Sequence, residues 1–167
     1  MENGTKNHRR QIYKYATNKQ ILSITDLLNG EDEKKSKVVI TLVKYDSQTN
    51  KALETVSHYL NPDDAKVVSW EILTGAFGEF KDYKGSKKEA GHQARILTIK
   101  KDTEGNRGYI IIFDQGQGKP SPQGAVMMTK KEISQWIALP PFEMKKLALS
   151  VLDYLRAWEI KQILIAE

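Results

Sequence analysis

The sequence predicts an α+β protein built as two antiparallel four-stranded sheets, each followed by a helix, a duplicated ββββα unit. Three observations lead there. Short runs rich in β-branched and aromatic residues come in two sets of four. Turn-forming residues separate them, and apolar residues at helical spacing close each set. Strands grouped ahead of a helix, rather than alternating with helices, argue against a doubly wound parallel sheet.

In chain order, residues 1–9 are polar and read as a loose tail, and residues 10–167 as one domain. The first repeat covers about 10–76. RQIYKYA (10–16) alternates, with Tyr13 and Tyr15 on one face and Ile12 on the other. KQILSIT (19–25) follows the turn-prone Thr17-Asn18. KVVITLVKYD (37–46) is β-branched throughout and forms a hairpin with ALETVSHYL (52–60) across SQTNK. Asn61 is placed to cap a helix, Pro62 suits its first position, and Asp63 and Asp64 complement the positive N-terminal end. Ala65, Val68, Ile72 and Leu73 fall on one helical face, and Gly75 stops the helix.

The second repeat covers about 78–167. Strands are expected over 78–85, with Lys84-Gly85 leading into a turn, and over 92–101 and 107–115. Residues 116–124 read as a Gly/Pro loop and 125–129 as a short strand. Thr129 and Glu132 form the T-x-x-E pattern of a capping box, so a helical segment is expected from there until Pro140-Pro141 breaks it. A long final helix then carries Met144, Leu147, Ala148, Val151, Leu152 and Leu155 on one face.

Composition narrows the chemistry. Among 167 residues, 40% are hydrophobic and 28% charged, with a net charge of +5. That is the balance of a folded protein with a mild basic bias, which suits an anionic partner. Cysteine is absent, which removes disulfides, a thiol nucleophile and cysteine-ligated metals. The N-terminal stretch has no apolar core and no run approaches a membrane span, so the expectation is a cytoplasmic protein, with nucleoid association as one option, and no membrane attachment. DQGQGKPS follows a strand but is no phosphate-binding loop, because Pro120 replaces the required Ser or Thr and Pro122 blocks the helix that must follow. His8, His58 and His92 are scattered, and the helix start accounts for Asp63-Asp64. No nucleophile has a local base. The expectation is a protein that is not an enzyme and needs no cofactor or metal.

A single strand of nucleic acid needs cations along its phosphates and flat rings under its bases, and a twisted antiparallel sheet can present both on one face. Candidate phosphate contacts are Lys19, Lys37, Lys84, Lys87, Lys88, Arg95 and Lys100, and candidate stacking rings are Tyr13, Tyr15, Tyr83 and Tyr109. The bland alternatives stand beside these. A ring on the face that packs against a helix is core, and an isolated lysine is a solvated side chain.

The order of elements resembles the Whirly family of single-stranded DNA-binding proteins. That family carries a K-G-K-A-A-L-S-V strand near its start. Here Thr17-Asn18-Lys19-Gln20-Ile21-Leu22-Ser23-Ile24 occupies that place, with Lys19, Leu22 and Ser23 matching. The later series is similar too: Glu79-Phe80, Lys84-Gly85-Ser86, Ile96-Leu97-Thr98-Ile99, Glu104-Gly105, Tyr109 to Phe113, then Met128-Thr129-Lys130-Lys131-Glu132 and the last helix. The resemblance spans about residues 10–158. It implies sheets projecting from a helical core, self-association as a dimer or tetramer through the C-terminal helix, and single-stranded DNA bound across the sheets with little sequence preference. Two alternatives remain open: an RNA-binding protein of the same fold, and a protein-interaction module that binds no nucleic acid.

Overall fold

The computed structural model describes residues 9–166, with the side chain of Glu33 excepted; most of the expected N-terminal tail, His8 included, lies outside the described residues. Alternating side chains along β1 (Gln11–Ala16), β2 (Gln20–Leu27), β3 (Lys37–Tyr45) and β4 (Ala52–Leu60) pair antiparallel in the order β1-β2-β3-β4. A short 3-10 turn, Glu33–Lys35, sits between β2 and β3. Strand β3 is central and its Val38, Val39, Ile40 and Leu42 are all buried, which is why it carries a near-continuous β-branched run. Its hairpin to β4 is set by Asp46, whose Oδ1 accepts the amides of Gln48 and Thr49, and by Asn50 in the left-handed region at φ 55°.

Helix α1 (Pro62–Thr74) starts with proline in its first turn and ends at Gly75, which takes φ 79°. The Asn61 side chain makes no capping hydrogen bond, contrary to expectation; proline and the two acids of the first turn are left to favour that end. The second sheet runs β5-β6-β7-β8, from β5 (Glu79–Lys88), β6 (Gly91–Lys101), β7 (Tyr109–Pro120) and β8 (Val126–Leu139). Helix α2 (Pro141–Ile165) buries Met144, Leu147, Ala148, Val151, Leu152 and Leu155, the face read from the sequence.

Three expectations in this half are corrected. FKDYKGSKK does not turn at Gly85; it stays in strand through Lys88. The Gly/Pro stretch after residue 115 remains in β7 as far as Pro120. Residues 129–139 are not helical but belong to a 14-residue strand. The inward alternation of Gln135, Ile137 and Leu139 there outweighs the local capping pattern, and Pro140-Pro141 marks the strand-to-helix junction rather than a break within a helix.

One buried cluster joins both repeats: Leu22, Ile24, Ile40, Leu42, Val56 and Leu60 from the first sheet, Leu97, Ile99, Ile111, Phe113, Ile137 and Leu139 from the second, and the inner faces of both helices. At the seam between sheets the contacts turn polar. His58 Nε2 on β4 meets Asp82 Oδ2 on β5 at 2.7 Å, Gln115 Nε2 donates to the Ser57 carbonyl at 3.2 Å, and Gln135 donates to Glu54.

Candidate nucleic-acid interface

Cross-strand register decides which side chains share a face, because partners in a ladder point the same way. On the face of the second sheet turned away from the core, Tyr83 lines up with Ile96, Asp114 and Ser134. The next row holds Lys81, Thr98, Ile112 and Trp136, and the one beyond it Glu79, Lys100, Ile110 and Ala138. In the other direction lie Gly85, Ala94, Gly116 and Lys131, then Lys87, His92, Gly118 and Met128.

This outer face is a trough. A Cβ at Gly85, which would point outward, would collide with Val126 of β8, and one at Gly118 would meet the same side chain and Ala94. The far arm of β8 therefore folds back over the outer side until the two edge strands, β5 and β8, touch. Two register shifts in the β7–β8 ladder, at Gln115/Gly116 and Gln117/Gly118, produce the bend. At Gly116 any side chain would run into the Lys130 carbonyl, so the bulge needs glycine. The glycines read as loop or turn residues are thus points of close approach within strands.

Two large rings stand exposed in the trough: Tyr83 is 61% exposed and Trp136 49%. Lys81, Lys87, Lys100 and Lys131 share the face with two carboxylates, Glu79 and Asp114. Asp114 is engaged by Ser134 Oγ at 2.6 Å and Lys131 Nζ at 2.9 Å, and Glu79 lies 3.6 Å from Lys81. On a flat sheet three strand spacings and two residues of rise would separate the two rings by roughly 16 Å, about five nucleotide steps of stacked single strand.

The sequence-derived candidates divide. Tyr83, Lys87 and Lys100 come together on this face, and Lys88 lies exposed at the end of β5. Tyr13 and Tyr109 are corrections, since both rings are buried in the core. Tyr13 donates to Glu143 Oε2 at 2.7 Å; burial and that carboxylate push its phenol well above the ordinary value. Tyr109 packs with its ring centroid 6.0 Å from that of Phe77, and burial raises its phenol too. Tyr15 is half-buried against the core. Lys37 spends its ammonium on the carbonyls of Lys34 and Ser36, at 2.8 and 3.1 Å. Lys19 is exposed in the β1–β2 turn, on the other sheet.

Lys84 and Arg95 are direct cross-strand partners on the inward-facing side. Lys84 lies 3.3 Å from Asp82, and Arg95 donates to Gln93 at 2.6 Å. Burial works to raise the Asp82 carboxyl, but the hydrogen bond from His58 and the charge of Lys84 outweigh it and leave it below the ordinary range. Sequence reasoning missed Lys81, Lys131 and Trp136. The last two fall in the segment read as helix, and only its period-two burial would have revealed their face.

Among the described residues no helix is long and apolar enough to cross a membrane. Comparison with protein-family models gives no match, and comparison with curated proteins gives none.

Proposed function

We propose that this chain is a Whirly-like, non-enzymatic protein that binds single-stranded DNA with little sequence preference, in the outer trough of its second sheet. One observation carries the reading: Tyr83 and Trp136 stand exposed on the same concave face as Lys81, Lys87, Lys100 and Lys131. Rings offer a π-face to any base, and lysines offer charge to any phosphate, so neither demands a sequence. The trough also favours a single strand, because a duplex hides its base faces. Lys84 and Arg95 lie on the opposite side of β5–β6, so the phosphate contacts of this reading are the outer lysines instead.

Self-association belongs to the same reading. Val67 and Trp70 on α1 and Phe142, Leu149 and Ile160 on α2 are exposed apolar side chains on the helix pair, the chemistry of a surface covered by a second copy. Sedimentation of the purified protein should give a dimer or tetramer, and Trp70→Glu with Leu149→Glu should give a monomer.

The deciding experiment is fluorescence polarisation with a labelled single strand, its duplex, and RNA of the same sequence, at two salt concentrations. The single DNA strand should bind most tightly and weaken as salt rises, because bound phosphates release counterions that salt then opposes. Equal affinity for strand and duplex, or no binding at low salt, overturns the reading. Tighter binding of RNA would move the ligand to the polymer bearing 2′-hydroxyls.

A further inference from the structure

Trp136 is not simply an exposed ring. The Cζ of Arg107, from the turn between β6 and β7, lies 5.3 Å from its ring centroid. That guanidinium is positioned by the turn itself. Its Nε donates to Asp102 Oδ2 at 2.7 Å, and the same carboxylate accepts the amides of Gly105 and Arg107 at 3.0 and 3.1 Å. Asn106 and Gly108 adopt left-handed φ of 53° and 89°, and a side chain at Gly108 would strike the Leu139 carbonyl and Pro141. The turn is thereby seated against the end of β8. The main chain under the indole is held as well, because the Trp136 carbonyl accepts Gln20 Nε2 at 2.9 Å.

At 5.3 Å from the centroid the guanidinium caps the indole as a cation–π partner. A flat ring in contact with both needs the two planes about 7 Å apart, so the long Arg107 side chain has to lift outward by roughly the thickness of one ring to admit it. The indole below supplies a π-face and the guanidinium above a cation, the two partners a nucleobase stacks on best.

We infer that Trp136 and Arg107 form a clamp for one unstacked nucleobase. The inference rests on the trough being the nucleic-acid face, and it adds a demand that charge alone does not make: the ligand must carry a base. The probes are an oligodeoxyadenylate strand and an abasic strand of the same length and charge. With Trp70→Phe and Trp158→Phe in place, Trp136 is the sole indole. Its emission should be quenched by the first strand and not by the second. Trp136→Leu should weaken the base-bearing strand about tenfold, and Trp136→Phe should restore part of that loss. Arg107→Lys keeps the charge but not the plane, and should weaken the same strand severalfold with an unchanged salt dependence. None of these variants should alter affinity for the abasic strand. Unchanged Trp136 emission when the base-bearing strand binds, or equal weakening of both strands by Trp136→Leu, overturns the clamp while leaving the trough reading intact. If neither strand binds the wild-type protein, the trough reading itself falls.

Discussion

The two sheets share an architecture and differ in surface. The outer face of the first is mostly small and β-branched, apart from Lys14 and Tyr59: Lys14, Ser23, Thr41 and Ser57 form one row, Ala16, Ile21, Val43 and Thr55 the next, and Tyr59 pairs with Val39. Thr41 and Ser57 hydrogen-bond each other at 2.9 Å, and the rings of Tyr13 and Tyr15 point inward. The outer face of the second has longer strands, three glycines at close approaches, two exposed rings and four lysines. A doubled unit therefore need not give a doubled site. The first sheet is occupied with closing the core, and the second has strand length beyond the core, which is the part that curls.

Four measurements would break or sharpen that contrast. The largest effect should come from charge. Reversing Lys81, Lys87 and Lys100 to Glu should cost about a hundredfold or more in single-strand affinity at low salt and flatten the salt dependence. Reversing Lys14 and Lys19 on the first sheet should cost far less, and an equal loss would mean that net charge alone matters. Next comes the bulge. Gly116→Ala forces backbone apart and should cost about 2 kcal/mol, seen as a Tm lower by about 6 °C, whereas Ser23→Ala should stay within about 0.5 kcal/mol. Third, Tyr83→Ala should weaken binding about tenfold, and Tyr59→Ala on the first sheet should leave it unchanged.

The smallest effect tests the joint between the sheets. Asp82 is held below its ordinary value, so its contribution is present above the unfolded carboxylate range and is lost as pH falls through its folded value. Asp82→Asn should cost about 1 kcal/mol at about pH 7, and the gap to wild type in urea unfolding should close as pH drops below about 4.

The sequence revealed the first repeat almost to the residue, because each strand announces itself by period-two alternation and each turn by its own chemistry. Gly75 ends α1 at φ 79° for a reason visible locally. The second repeat was harder to read where distant packing decides. Gly85, Gly116 and Gly118 look like loop residues until Val126 and the Lys130 carbonyl are brought against them. Thr129 and Glu132 make a sound capping pattern, and only pairing with β7 turns that stretch into strand. The candidate site suffered for the same reason. Trp136 fell within the misread segment, and Tyr13 and Tyr109 were given to the surface because short-range sequence does not say which face of a strand meets the core.

The hydroxyl of Tyr13 reaches Glu143, 130 residues later in the chain, and Tyr154 reaches back to Asp26 across 128. These ties have a consequence in time. A chain made from its N-terminus exposes the first sheet long before the helix that covers its edge strand exists. Contacts so far apart in sequence make folding slow, and leave β1 and the buried face of β2 open to wrong partners meanwhile. The first half should therefore gain full protection only once α2 has emerged from the ribosome, although it is made first.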